Sequence, residues 1–183
     1  MRTLVLVSGA PGAGKSTLAP PLAAHLGLPL LSKDFIKEAL FDTLGSVDDN
    51  PLASSRRLGA AAMTLLWRLA AHCPAVMLEA NFRSAPEYER DRVAELCPRP
   101  VEVYCRVPPE LALRRYDERG TRPDHHEVHA GRTTSLDAIA EYQLPMNLGP
   151  VIEVDTSGFV DVAHVARLVQ TALPPCPSRR RDG

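Results

Sequence analysis

The feature that most restricts the fold of this chain is a glycine-rich segment near its start. Residues 9–16 read GAPGAGKS and match the pattern G-x-x-x-x-G-K-[ST] in full. An apolar run at residues 4–7 precedes the segment, and a helical pattern starts at Lys15. Glycines allow successive backbone amides to converge on phosphate oxygens, at the positive end of the following helix. The segment therefore predicts a phosphate-binding loop rather than an ordinary glycine-rich turn.

This loop predicts the binding of a nucleoside triphosphate with Mg²⁺. Lys15 is expected to bridge the terminal phosphates, and the Ser16 hydroxyl is expected to ligate the metal ion. Thr17 is expected to lie near the nucleotide as a helix residue. The full set of expected nucleotide contacts in this segment is Gly9, Ala10, Pro11, Gly12, Ala13, Gly14, Lys15, Ser16 and Thr17.

Short apolar runs alternate with helical patterns along the chain. The predicted strands are residues 4–7, 28–31, 75–80, 101–105 and 151–155. The predicted helices are residues 15–26, 34–44, 51–72, 86–96, 108–119, 135–144 and 160–173. The alternation predicts an α/β fold with a parallel sheet that helices cover on both faces. Pro20 and Pro21 predict a kink or an early break in the first helix.

Length and charge limit the functional classes. The 183 residues predict one domain at residues 1–173 and a disordered tail at residues 174–183. The net charge of −1 gives little support to nucleic acid as a partner, although the arginines at 179–181 leave it possible. The four cysteines lack C-x-x-C spacing, and no run is long enough to span a membrane. We expect a cytoplasmic protein with no membrane partner, and the sequence does not indicate an oligomeric state.

Acidic residues follow two of the predicted strands. Asp34 is expected to deprotonate an acceptor hydroxyl near the γ-phosphate, although a cap or first-turn role in a helix is the alternative. Glu79 is expected to hold Mg²⁺ or its water shell. Alternatively, Glu79 and Asn81 bind hydroxyls of the acceptor, and Arg83 contacts the acceptor or its anionic group.

A group of arginines at residues 114–134 predicts a lid over the phosphates. Arg119 and Arg122 are expected to stabilise the charge that develops during transfer, and Arg115 to contact the nucleotide. Arg132 is a further member of this segment. The alternative is a solvated helix face on which the arginines pair with Asp117 and Glu118.

Two other segments carry weaker signals. His125, His126 and His129 suggest a zinc site, but their spacing differs from H-E-x-x-H, so contacts with a lid or an acceptor are favoured. Thr156 follows the last predicted strand, where the adenine of a nucleotide is expected to bind. A simple turn with a helix cap is the alternative there.

Together these segments resemble the P-loop small kinases of the AAA type, the group that includes chloramphenicol phosphotransferase, polynucleotide 5′-kinase, zeta-toxin kinases and gluconate kinase. The matching stretches are GAPGAGKST, SKDFIKEAL, LEANFR, RRYDERGTR and VIEVDTSG. The resemblance implies ATP, Mg²⁺ and a five-stranded sheet in the order 2-3-1-4-5. It also implies that Asp34 is the base and that Arg115, Arg119 and Arg122 belong to the lid. Many relatives have Arg-His-Pro in the lid, whereas this chain has Arg122-Pro123-Asp124.

The sequence thus predicts an ATP-dependent phosphotransferase that acts on a hydroxyl group of a small molecule. It contains no N-K-x-D guanine motif, and a motor ATPase would need a further domain. One alternative is a kinase for a polynucleotide 5′-hydroxyl or a nucleotide. Another is a regulatory module that binds a nucleotide without phosphate transfer.

Overall fold

The computed structural model describes residues 2–85, 87–120, 126–129 and 133–174. Five strands form the sheet: β1 (Thr3–Ser8), β2 (Leu30–Ser32), β3 (Ala75–Glu79), β4 (Val101–Arg106) and β5 (Val151–Asp155). The α-helices in these ranges are α1 (Lys15–Leu26), α2 (Lys33–Leu44), α3 (Pro51–Ala70), α4 (Glu87–Leu96), α5 (Pro109–Gly120), α6 (Leu136–Ala140) and α7 (Val162–Ala172). A 3₁₀ turn spans Glu127–His129. None of the helices in the described ranges is both long and apolar enough to cross a membrane.

The five strands are all parallel and lie in the order β2-β3-β1-β4-β5, which confirms the predicted topology. Strand β1 is central, with Val5 opposite Met77 of β3 on one side and Val101 of β4 on the other. The strand that precedes Asp34 and the strand that ends at Glu79 therefore lie on one side of β1, and the strand that precedes Thr156 lies on the other. The carboxyl ends of all five strands share one edge, where ligands bind in folds of this kind.

Two apolar clusters cover the two faces of the sheet. One contains Val5 and Val7 of β1 together with side chains of α1 and α7. The other contains Leu4 and Leu6 with side chains of α3 and α4. In the second cluster, the ring of Trp67 lies 5.6 Å from that of Phe82. Successive residues of β1 are thus buried on opposite faces, as its continuous apolar run predicts.

Helix α1 continues without a break through Pro20 and Pro21, so the prediction of an early break is wrong. Each proline removes one helical hydrogen bond. However, Leu18, Ala19 and Leu22 are buried against the core on the sheet side of the helix. This packing holds the helix in place as far as Leu26.

Several predicted boundaries differ from the structure by one or more residues, and hydrogen bonds explain two of these differences. Strand β2 starts at Leu30 instead of residue 28, because the amide of Leu28 donates to the carbonyl of Ala23 and closes α1. Helix α6 ends at Ala140 instead of residue 144. Beyond it the Gln143 amide bonds to Ala140, three residues back, and Pro145 disfavours a helical Leu144. Both differences arise from turn hydrogen bonds that apolar spacing does not reveal.

A buried carboxylate fixes the segment between α6 and β5. Glu102 of β4 accepts hydrogen bonds from the Ser8 hydroxyl at 2.5 Å and from the amides of Met146 and Asn147 at 3.0 Å each. Asn147 has a left-handed backbone, with φ of 59°. Because the carboxylate satisfies both amides, it stabilises this turn inside the protein.

Candidate active site

The phosphate loop is held by backbone geometry that only glycine readily adopts. Gly12 and Gly14 both have φ of 79°, in the left-handed region. A Cβ atom on Gly12 would lie 2.1 Å from the carbonyl oxygen of Ala112 in α5. Helix α1 follows directly after Gly14, so its amino terminus is directed at the loop. These features fit the binding of an anionic phosphate group.

Lys15 is buried within the loop that it follows. Its ammonium group donates a hydrogen bond to the carbonyl oxygen of Ala10 at 2.7 Å. Burial lowers the pKa of Lys15, and the nearby carboxylates of Glu79 and Asp34 oppose this shift. The Lys15 amine thus contacts the loop and is close to both acidic residues.

Glu79 ends β3 beside the phosphate loop, and two serines fix its carboxylate. Oε1 accepts a hydrogen bond from the Ser16 hydroxyl at 3.3 Å, and Oε2 accepts one from the Ser32 hydroxyl at 2.5 Å. The carboxylate is buried, whereas Ser16 is exposed to the cleft. A hydroxyl and a carboxylate at this separation provide the oxygen donors that Mg²⁺ prefers. The predicted pair of Mg²⁺-holding residues is therefore brought together.

Asp34 lies in the first turn of α2, where Ser32 is the cap. The Lys33 ammonium is 3.3 Å from the Asp34 carboxylate. Burial raises the pKa of Asp34, but the positive charges of Lys33, His129 and Lys15 outweigh it and lower the pKa to about 2. Asp34 is therefore ionised throughout the neutral range.

The loop after β5 is tied to the phosphate loop. The Thr156 hydroxyl donates hydrogen bonds to the carbonyls of Ala13 at 2.8 Å and Arg106 at 3.1 Å. The Arg115 guanidinium of α5 donates to the carbonyls of Thr156 at 2.9 Å and Ser157 at 2.8 Å. Both predicted nucleotide contacts therefore shape this end of the site.

A single cleft of about 830 Å³ joins most of the predicted site residues. Its lining includes Pro11, Gly12, Gly14, Lys15, Ser16, Thr17, Asp34, Glu79, Asn81, Arg115, Arg119 and Thr156. Gly9, Ala10 and Ala13 lie behind this surface and support the loop. This volume is within the usual range for small-molecule sites.

Arg83 does not line the cleft. Its Nε and Nη2 atoms donate to Oε1 of Glu89 at 3.2 and 3.0 Å, and its amide donates to Oε2 at 2.9 Å. Its Nη1 atom lies 3.9 Å from the carboxylate of Glu141, which does line the cleft. Arg83 thus has two acidic neighbours, one of which lines the cleft.

The predicted lid is described only in part. Arg119 lines the cleft with its guanidinium 5.7 Å from the centre of the Tyr116 ring, and Arg114 pairs with Glu118 on the exposed side of α5. Arg122 and Arg132 lie outside the described residues, as do His125 and most of the predicted tail, residues 175–183. The lid therefore stays a prediction.

Two histidines of the predicted zinc site, His126 and His129, are described, and they pair with acidic residues of α2. His129 lies 3.0 Å from Glu38, and His126 lies 3.0 Å from Asp42. The described ranges contain no group of three or more His, Cys, Asp or Glu residues arranged to hold a metal ion. The 3₁₀ turn is thereby attached to α2, beside Asp34.

Two residues near the cleft were not anticipated from the sequence. Lys37 is fully buried and donates to the Ser55 hydroxyl at 2.7 Å and the Val128 carbonyl at 3.2 Å. Phe159 lines the cleft next to the loop after β5, and its side chain is 96% exposed. The sequence signal that could have identified Phe159 is an aromatic residue three positions after Thr156, next to the predicted adenine site.

Comparison with solved structures supports the fold. The chain is similar to a candidate kinase from Chloroflexus aurantiacus, with 30% identity and a TM-score of 0.81 over 94% of this chain and 99% of the other. A sugar kinase from Janibacter has 17% identity and a TM-score of 0.63, with 95% and 97% of the two chains covered. Shikimate kinase from Acinetobacter baumannii has 17% identity and a TM-score of 0.56, with 93% and 92% covered. No curated protein matches the chain.

The sequence profile of the AAA domain family matches residues 4–145, which include the phosphate loop, Asp34, Glu79 and α5. The strand order and the fold of the solved kinases agree with that match. The chain therefore belongs to the AAA domain family and has the fold of the P-loop small kinases.

Proposed function

We propose that this protein is an ATP-dependent kinase that transfers the γ-phosphate to a hydroxyl group of a small molecule. The observation that carries the proposal is the position of Asp34 in the same cleft as Lys15 and Ser16. A carboxylate beside a phosphate loop can receive the hydroxyl proton of an acceptor.

The nucleotide would extend along the cleft from the β5 side to the phosphate loop. The triphosphate fits the amides of residues 9–16 and the Lys15 ammonium. The adenine fits the loop that Arg115 and Thr156 shape, with the ring of Phe159 exposed beside it. Oxygens of Ser16 and Glu79 would hold Mg²⁺, directly or through water. When bound, the ion neutralises charge on the β- and γ-phosphates.

The transfer step needs few groups from the protein. The acceptor oxygen forms a bond to the γ-phosphorus, the bond from that phosphorus to the β–γ bridging oxygen breaks, and ADP leaves. The hydroxyl proton passes to Asp34, while Lys15, Arg119 and Arg122 stabilise negative charge on the transferred group. A carboxylate with a pKa of about 2 is a weak base, so Asp34 would act largely by orienting the hydroxyl. This role suits phosphoryl transfer, because its transition state is loose.

The acceptor would bind on the β2–β3 side of the phosphate loop. Asp34 follows β2, and Glu79 and Asn81 end or follow β3. Asn81 lines the cleft there and can bind an acceptor hydroxyl. Arg83 contributes by fixing the wall of this region through Glu89.

The proposal is tested by an ATP-consumption screen over antibiotics, sugars, nucleosides and 5′-hydroxyl oligonucleotides. The expected result is acceptor-dependent ADP formation with one small-molecule class and a phosphorylated product in mass spectra. Lys15→Ala should abolish this transfer. Helix α1 contains no second lysine, so Arg68→Ala, at an exposed position of α3, is the control. A preference for 5′-hydroxyl oligonucleotides would show that the acceptor is a polynucleotide and not a small molecule. ATP binding without any transfer would favour a regulatory module.

A further inference from the structure

The acceptor end of the cleft is built from the loop after β3 and the end of α6. Asn81, Glu141 and Tyr142 line the cleft at this end, and Arg83 lies 3.9 Å from Glu141. The Tyr142 carbonyl accepts a hydrogen bond from the Tyr104 hydroxyl at 3.0 Å, which fixes the chain there. The strand order separates this region from Thr156 by the width of β1 and β4. A group bound here would therefore belong to the acceptor and not to the nucleotide base.

The charges at this end do not cancel. Arg83 makes two side-chain hydrogen bonds to Glu89, whose carboxylate is largely buried. Glu141 is 3.9 Å from the same guanidinium, and its side chain is 59% exposed. One guanidinium therefore serves two carboxylates, so this group has a net charge of −1. The more exposed of the two carboxylates faces the cleft.

Most of the other basic residues that line the described part of the cleft lie near the phosphate loop or on the nucleotide side. Lys15 lies in the phosphate loop, Arg115 donates to the loop after β5, and Arg119 lies over Tyr116 of α5. At the acceptor end, His129 lies beside the carboxylate of Glu38. Asp34 and Glu79 have described cations beside them, since Lys33 lies 3.3 Å from Asp34 and Lys15 is close to both carboxylates. Glu141 instead shares the Arg83 guanidinium with Glu89, so an acceptor carboxylate at this end would meet the net negative charge there.

We propose that the acceptor carries a protonated amine near the reacting hydroxyl, and that Glu141 is the residue that selects it. This inference rests on the proposed kinase function. An ammonium group would form a charge-assisted hydrogen bond to Glu141, with the Asn81 amide oxygen as a second acceptor. The Tyr142 ring at the same end can also attract a cation. The same carboxylate would disfavour an acidic acceptor by repulsion, which gives discrimination in both directions.

Two matched sets of hydroxyl compounds test the inference. Each set varies one substituent among amine, hydroxyl and carboxylate: glucosamine, glucose and glucuronate, and serinol, glycerol and glycerate. With saturating ATP and Mg²⁺, we expect the amine to have a kcat/KM about tenfold or more above the other members of its set. Glu141→Gln should remove most of this preference by raising the KM for the amine, with the KM for ATP unchanged. Glu141→Lys should reverse the preference towards the carboxylate.

Glu87→Gln is the matched control, because Glu87 is an exposed α4 residue that does not line the cleft. It removes the same charge and should leave the preference intact. Calorimetry of each compound with the ADP-bound protein gives a second readout that does not depend on transfer. Preferential binding of the amine without transfer would contradict the kinase proposal alone. Transfer without amine preference, a preference unaltered by Glu141→Gln, or failure of both amines to bind would overturn this inference.

Discussion

The Ser16 hydroxyl donates a hydrogen bond to the Glu79 carboxylate at 3.3 Å, which links the phosphate loop to the end of β3. The two residues are separated by 63 positions in the chain. A second serine, Ser32, holds the other oxygen of the same carboxylate, so its orientation is set before any ligand binds.

The first prediction concerns Mg²⁺. Ser16→Ala and Glu79→Gln should each weaken the apparent affinity for Mg²⁺ by about 10–100-fold, because each removes one oxygen donor or its charge. Titration of ATP turnover with Mg²⁺ measures the effect. Ser46→Ala, at an exposed serine that bonds to the Asp48 carbonyl, is the control. Unchanged activation midpoints in both site variants would show that the ion is held elsewhere.

The second prediction concerns Asp34. Asp34→Asn should leave ATP affinity unchanged and reduce turnover by about 10²–10⁴-fold, because the neutral amide orients the hydroxyl less strongly than a carboxylate and cannot accept its proton. Steady-state kinetics and nucleotide binding measure the two effects separately. Asp49→Asn, at an exposed position before α3, is the matched control. Turnover close to that of the control would remove Asp34 from the mechanism.

The third prediction is a pH dependence that follows from the lowered pKa of Asp34. Its folded-state pKa of about 2 is below the unfolded value, so ionised Asp34 contributes stability that is fully present above about pH 4. This contribution is lost as the pH falls from about 4 towards 2. The free energy of unfolding is measured as a function of pH by circular dichroism. Asp34→Asn should reduce the loss of stability between about pH 4 and pH 2, because the amide does not titrate there. Between pH 5 and 7, kcat should show no step that Asp34→Asn removes, and such a step would contradict the assignment.

The fourth prediction concerns Phe159. Phe159→Ala should raise the Kd for ATP by about 2–10-fold, because stacking of the exposed ring on adenine would be lost. The KM for the acceptor should not change, since the ring is on the β5 side of the cleft. Phe35→Ala removes another exposed ring that does not line the cleft, and ATP binding should be unaffected. Equal effects of the two substitutions would argue against a nucleotide contact at Phe159.

The fifth prediction separates backbone strain from steric clash. Gly27→Ala introduces a side chain at φ of 63° into open space, and should destabilise the fold by about 1–2 kcal/mol. Gly12→Ala has a similar backbone strain and also places a Cβ atom 2.1 Å from the Ala112 carbonyl oxygen. It should therefore destabilise the fold more than Gly27→Ala and should also impair ATP binding. Thermal unfolding with and without ATP measures both effects. A Gly12→Ala protein as stable as Gly27→Ala would show that the loop relaxes away from α5.

Much of the fold was predictable because its signals are local in the sequence. The phosphate loop is a contiguous motif, and the alternation of strands and helices follows from apolar runs and turn residues. The cap of α3 is also local, since the Asn50 side chain accepts hydrogen bonds from the amides of Leu52 and Ala53. The strand order came from resemblance to known kinases and not from the residue pattern.

The features that could not be predicted depend on contacts between distant residues. The apolar spacing of α2 gives no sign that Lys37 is fully buried while Phe35 and Leu44 are more than half exposed. Lys37 is accommodated by acceptors on α3 and the 3₁₀ turn, as far as 91 residues away in the chain. The partners of Arg83 and Glu102 were hidden for the same reason, because a charged residue in a sequence does not reveal which atoms will satisfy it.

The contact between Trp67 and Phe82 gives the protein an internal optical probe. Trp67 is the one tryptophan in the 183 residues, so all indole fluorescence comes from a single buried position on α3. Phe82 directly follows Asn81, which lines the acceptor end of the cleft. A shift of this loop on acceptor binding would therefore change the emission of the indole, and binding could be followed without a label.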